Sequence, residues 1–201
     1  MSQQTILIWY RNDLRVHDHE PLFWATQTQG QIIPFYCFDT REFGKTGFGF
    51  PKTGSFRAQF LQESVANLRE NLRNKGSNLI IRVGQPEIII PDLVTAFNIT
   101  DVFYHSEVTA EELRVEKALA KKLRLQGVNL KSYWGATLHH LDDLPLKIAD
   151  LPDVFTQYRK HIEKKSDIRP TFPTPDRLPP LPPDMSSGGL PTLEALGVEW
   201  V

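Results

Sequence analysis

The sequence predicts an α/β fold with a parallel central sheet, and three observations carry that prediction. Five short apolar runs recur along residues 5–133, with helical patterns between them. The first two are almost wholly apolar, without alternation, as in strands covered on both faces. Strand–helix–strand alternation, in turn, implies right-handed crossovers between parallel neighbours.

The first strand is expected at Thr5–Tyr10 (TILIWY), β-branched and aromatic. Residues 32–38 (IIPFYCF) form the second, although Pro34 removes a ladder donor from a strand that reads as central. Residues 78–83, 101–105 and 128–133 complete the set. A short helix fits at 21–27. A long one fits at 56–74, where Leu61, Val65, Leu68 and Leu72 are spaced as one buried stripe before Gly76 ends it. A third at 86–97 opens on a proline in its first turn, and Pro91 inside it is expected to kink or split it. The fourth, at 109–125, carries Val115, Leu119 and Leu123 on its inner face. Glutamates lead it and lysines end it, which complements the helix dipole. Thr109 and Glu112 have capping-box spacing. The expected architecture is a Rossmann-like five-stranded parallel sheet flanked by helices. Such sheets bind ligands beyond the carboxyl ends of their strands. The loops to inspect are therefore 11–20, 39–55, 84–85, 106–108 and 134–141.

After Tyr133 the alternation stops. Residues 136–169 read as a helical extension of the same domain, with a helix at about 153–164. From Pro170 to the end lie eight of the fifteen prolines and a Ser-Ser-Gly-Gly step, the composition of an extended connector.

Composition excludes several classes. Lys plus Arg is 23 and Asp plus Glu is 24, a net charge of -1, so there is no basic nucleic-acid arm and no acidic tail. Cys37 is the single cysteine, which excludes a disulfide framework and a Cys-based zinc site. No apolar run nears the roughly 18 residues of a membrane span, and residues 1–10 lack a signal-peptide pattern. The expected setting is cytoplasmic, with no membrane. Neither a G-x-G-x-x-G nor a P-loop motif is present. His139-His140 before Asp142-Asp143 lacks a third ligand group, so no metal site is expected. The basic cluster from Arg159 to Arg169 reads as a solvated helix end, with DNA phosphate as the sharper alternative. No catalytic residue is expected in this chain.

The first strand runs into Trp9-Tyr10-Arg11-Asn12-Asp13-Leu14-Arg15-Val16-His17-Asp18. Two arginines among these aspartates either brace the loop or, at Arg11 and Asn12, contact a ligand. This run resembles the opening of the photolyase/cryptochrome family, with Tyr10 in place of a phenylalanine. The likeness continues through Pro34-Phe35-Tyr36-Cys37, Phe50-Pro51-Lys52-Thr53-Gly54, Tyr133-Trp134-Gly135-Ala136-Thr137-Leu138, Asp150-Leu151-Pro152-Asp153 and Pro191-Thr192-Leu193-Glu194. The Lys-Thr-Gly loop and the residues around Trp134 look like the DASH branch. The resemblance covers nearly the whole chain.

It implies an N-terminal antenna α/β domain over 1–135, the extension, and a connector over 170–201 leading toward a helical FAD domain that this chain does not contain. Whether the chain is an enzyme is left open, because the family's redox step belongs to that FAD domain. Trp9, Trp24, Trp134 and Trp200 are not expected to serve electron transfer, and Trp9 and Trp24 read as core. The implied cofactor of this half is methenyltetrahydrofolate. Its implied contacts are Glu107, at a strand's carboxyl end and outside the capping box, with Arg11, Asn12 and Lys52. The implied partners are a helical FAD domain in trans or a second copy, and DNA only through a full-length or split photolyase. Blue-light-driven pyrimidine-dimer repair, or light sensing, follows only in that combination. The alternative is a stand-alone, non-catalytic module for a nucleotide, a pterin or a docking partner. Phe43, Phe48 and Phe50 are expected to be exposed, or covered by the tail or a second copy.

Overall fold

The computed structural model describes residues 4–199, so Trp200 lies outside the described residues. Five strands form one parallel sheet: β1 (Thr5–Tyr10), β2 (Gln31–Asp39), β3 (Ile80–Gly84), β4 (Asp101–His105) and β5 (Asn129–Tyr133). Their spatial order is β3-β2-β1-β4-β5. The helices are α1 (Glu20–Thr26), α2 (Ser55–Arg73), α3 (Pro86–Phe97), α4 (Ala110–Leu125) and α5 (Phe155–Lys165).

β1 shows why its run is apolar throughout. Side chains alternate across a strand. Ile6, Ile8 and Tyr10 enter one core cluster with Leu22 of α1 and Val65, Leu68 and Leu72 of α2. Leu7 and Trp9 enter the other, with Ile90 and Leu93 of α3 and Leu119 and Leu123 of α4. Both faces are covered, so neither set of alternating positions tolerates a polar residue. The chain leaves β1 over one face and β4 over the other, which makes the β1–β4 boundary the switch point of the sheet.

Two prolines behave in instructive ways. Pro34 is tolerated in β2 because the ladder with β3 begins only at Phe35, paired with Ile80. Pro91 does not split α3, which runs unbroken across it. It removes only the helical bond to the carbonyl four residues back, midway along a helix whose Ile90, Leu93 and Val94 are buried. Packing outweighs that loss.

Residues 170–199 are extended and Pro-rich, and they are stitched to the domain. Ser187 O accepts the Ile81 amide of edge strand β3 at 2.8 Å. Arg69 of α2 donates to Ser187 Oγ and to the Gly188 carbonyl, both at 2.7 Å. Leu178, Met185, Leu196 and Val198 are buried in the two clusters. The strap thereby covers the β3 edge, whose unpaired backbone would otherwise template another strand. Among the described residues no helix is long and apolar enough to cross a membrane.

Candidate functional site

A cleft of about 490 Å³ opens at the carboxyl ends of β1, β2 and β4. Arg11, Asn12, Lys52 and Glu107 all line it, so the structure gathers the four residues singled out in the sequence at one place. Trp9 and Tyr36 also line it, as do carboxylates from the turn after β2 and from the start of α4.

Arg11 leaves β1 into a dense set of partners. Its guanidinium lies 4.5 Å from the centroid of the Trp9 ring, pairs with Glu107 at 3.0 Å and bonds to Glu116. Asn12 donates from Nδ2 to Glu107 Oε1 at 2.5 Å. Glu116 also accepts the Glu107 backbone amide at 3.0 Å. Burial raises the Glu107 carboxyl, while Arg11 and then Asn12 pull it back down. Burial and the neighbouring Glu116 push Tyr104 up to about 12.

Glu107 is thus tethered through both oxygens rather than free to face the cleft. Glu112 is also not where the motif places it. Thr109 is the N-cap of α4 with extended backbone, but its side chain accepts no capping bond. Glu112 Oε2 is shut off from solvent with no hydrogen-bond partner among the described residues. The capping box is therefore absent, and the entry to α4 is anchored instead by Glu116 reaching back to the Glu107 amide.

The remaining charges of the cleft are mostly paired. Lys52 Nζ bonds both oxygens of Glu111, at 2.8 and 3.0 Å. Arg41 is clamped between Asp39, at 2.5 Å, and Glu87, at 2.7 Å. Sequence reasoning missed Tyr36, Arg41 and Glu42 as site residues. Their one signal was position, since they sit at or just beyond the carboxyl end of β2.

Beneath the cleft, Asp13 forms a closed cluster. Its Oδ2 accepts from His19 Nε2 at 2.8 Å and from His105 Nδ1 at 2.6 Å, and its Oδ1 accepts the Arg11 amide at 2.7 Å. His19 Nδ1 accepts the Leu22 amide at 3.1 Å and so caps α1. His19 is therefore neutral with its proton on Nε2. Burial drives its pKa down, against the pull of Asp13. Burial alone would raise Asp13, but hydrogen bonds from His105 and His19 hold it well below the ordinary carboxylate range. These three side chains have the make-up of a metal site. His19, however, has its Nδ1 lone pair engaged and its Nε2 proton given to Asp13, which leaves no lone pair for an ion. A Cβ at residue 135 would come within 2.6 Å of His105 Nε2, so the glycine there is what lets the Trp134 loop close over the cluster.

Elsewhere the other candidates resolve into local structure. Trp9 is buried, whereas Trp24 is 42% exposed, donating to Glu20 and lying 5.8 Å from Lys131 Nζ of the edge strand β5. Its expected core role is not observed, because β5 leaves that flank open. His139 bonds Ser166 and His140 caps a turn at Asp142. Phe43 is buried, while Phe48 and Phe50 are 90% and 70% exposed.

The model of the DNA photolyase family matches residues 6–180. Cryptochrome DASH of Gloeobacter violaceus is 52% identical over 199 residues, covering 99% of this chain and 40% of that protein. Cryptochrome DASH of Xenopus laevis is 47% identical, covering 96% of this chain and 38% of that protein. The crystal structure of a Synechocystis sp. PCC6803 cryptochrome superposes with a TM-score of 0.92 at 47% identity, over 97% of this chain and 41% of that one. The chain thus spans about 40% of the length of such relatives. The family match, the strand order and the likeness to the DASH cryptochromes agree: the chain belongs to the DNA photolyase family, as its N-terminal α/β domain.

Proposed function

We propose that the chain is the chromophore-holding half of a DASH-type cryptochrome or photolyase, with the cleft at the β1–β4 switch point as its folate site. The observation that carries this reading is the cleft itself, which combines an aromatic floor at Trp9 and Tyr36 with a buried Glu112 Oε2 that none of the described residues satisfies. An orphaned buried acceptor is costly. The edge of a pterin, with its ring N–H and amino donors, fits that deficit.

In this reading Glu107, held by Arg11 and Asn12, shapes the cleft wall, and the Lys52–Glu111 pair closes its rim. When bound, methenyltetrahydrofolate supplies near-ultraviolet absorption for transfer to the FAD of a helical domain, for dimer repair or light sensing. This chain's residues bind and orient the chromophore and carry no redox step. The direct test is titration of methenyltetrahydrofolate into the purified chain, followed by absorbance. The reading expects saturable binding with a shifted band; a linear, unsaturable response overturns it.

A second reading, a docking module, rests on Phe48, Phe50 and Phe60, which are 90%, 70% and 71% exposed. All three lie within residues 48–60, and large exposed apolar patches mark interfaces. Light scattering of the chain alone, and with a helical FAD domain supplied in trans, distinguishes a second copy from that domain as the cover.

A further inference from the structure

We propose that the strap carries a phosphoserine site at Ser187, where Arg69 and Arg82 read the phosphate and latch the strap over the β3 edge. None of these residues lines the cleft, so the proposal is independent of the chromophore reading.

Arg69 of α2 and Arg82 of β3 are both half-buried, and among the described residues neither pairs with a carboxylate. Their hydrogen bonds all go to neutral oxygens. Arg69 donates from Nε to Asn78 Oδ1 at 3.2 Å and from Nη2 to Ser187 Oγ and the Gly188 carbonyl, both at 2.7 Å. Arg82 donates to the Ile81 carbonyl at 2.8 Å and to the Ser186 carbonyl at 2.9 Å. A guanidinium has more N–H groups than these bonds use. Arg69 keeps both hydrogens of Nη1 uncommitted, and Arg82 keeps Nε and a hydrogen on each terminal nitrogen. Burial, and then Arg73, push the Arg69 guanidinium below its usual value, as expected of a cation that lacks an anion. Asp184, the strap carboxylate nearest in sequence, is exposed and forms no ion pair with either arginine.

The two cations converge on one step of the strap. Arg69 bonds the Gly188 carbonyl, and a Cβ on Gly188 would lie 2.9 Å from Arg82 Nη1 and 2.3 Å from the Ile81 carbonyl oxygen. Gly188 also has φ +70°, so backbone and space both demand glycine there. Ser187 precedes it, with its carbonyl on the Ile81 amide and its hydroxyl on Arg69. A phosphoryl group on that hydroxyl would set three acceptor oxygens and a charge of about -2 beside two guanidiniums without counter-ions. Transfer from a nucleoside triphosphate by a protein kinase forms the bond from Ser187 Oγ to phosphorus and breaks the bond from that phosphorus to its bridging oxygen. The nucleoside diphosphate leaves, and the hydroxyl proton passes to the kinase's base. The strap suits such an enzyme. Its Ser-Ser-Gly-Gly step is extended chain between the buried anchors Met185 and Leu196, so the step can lift while the strap stays attached.

The test installs phosphoserine at Ser187 of the full chain by nonsense suppression. Phosphorus NMR against pH reads the phosphate. Its second pKa, ordinarily about 6, is expected near roughly 5 in the folded chain and to return to its ordinary value in urea. Hydrogen exchange reads the latch. The Ile81 amide is expected to exchange about 10- to 150-fold more slowly than in the unmodified chain, the range of hydrogen bonds to a charged group. Arg69→Gln should lose most of both effects. Arg82→Gln, which leaves α2 untouched, should weaken both and decides the matter if Arg69→Gln does not fold. An ordinary phosphate pKa in the folded chain, or an Ile81 amide that exchanges no more slowly, overturns the proposal. So does full retention of both effects when either arginine is replaced.

Discussion

Two polar clusters grow from one tripeptide, Arg11-Asn12-Asp13, and they are built to opposite rules. Below the sheet's end, Asp13 has each oxygen engaged, by His19, His105 and the Arg11 amide. Above it, the cleft that begins at Arg11 and Asn12 ends at a carboxylate without a partner. A closed network fixes the loop after β1 and the start of α1. An open one leaves an acceptor for the proposed ligand. Charged residues in one motif therefore divide into a closed set and a set that borders the proposed ligand site, and the division follows from which lone pairs remain unused.

The largest effect is expected where the network is closed. Asp13→Ala removes the shared acceptor of two buried imidazoles and should destabilise the fold by about 3–5 kcal/mol, read by urea or thermal unfolding. A loss below about 1 kcal/mol would show that the cluster braces nothing. Leu178→Ala tests the strap that covers the β3 edge. Leu178 is buried in the core with α2, so the cost should be about 2–5 kcal/mol.

Acid should act on the same cluster. His19 is neutral in the fold with its pKa lowered, so its contribution is complete above the ordinary histidine value of about 6.5 and is lost as pH falls below it. Asp13, with its carboxyl lowered, adds a further loss below the ordinary aspartate value of about 3.9. Melting temperature should decline from about pH 6.5 downward. His19→Asn keeps a capping side chain without a titrating ring, and should flatten the first part of that decline. A wild-type curve that stays level from pH 7 to 5 would contradict the neutral assignment.

The smallest effects are expected at the open cluster. Thr109→Ala and Glu112→Gln should each change stability by less than about 0.5 kcal/mol, because neither side chain makes a capping bond. A cost near 1 kcal/mol for Thr109→Ala would restore the capping box.

What the sequence made legible follows from range. The strands and helices were readable because burial on two faces leaves a local pattern, as in β1 and the stripe of α2. The loops of the site were readable because parallel sheets place ligands at carboxyl ends. The bonds within the site were not. Arg11 and Asn12 meet Glu107 some 95 residues away, and no spacing encodes such a pair. The Thr109–Glu112 spacing pointed to a local box that the tertiary tie from Glu116 displaced. Trp24 looked like core because aromatics usually are, and the open flank of β5 decided otherwise.

The central claim is that the ligand site is the open cluster at the β1–β4 switch point. Amide chemical shifts of the isotope-labelled chain, followed as a pterin is added, test it most directly. The account predicts that shifts concentrate at residues 9–12, 36–42 and 107–115, leaving His19 and the strap near Leu178 unmoved. Shifts confined to residues 134–158, which line a separate apolar groove with Trp134, Leu138, Leu144 and Tyr158, with segments 9–12 and 36–42 silent, would contradict it.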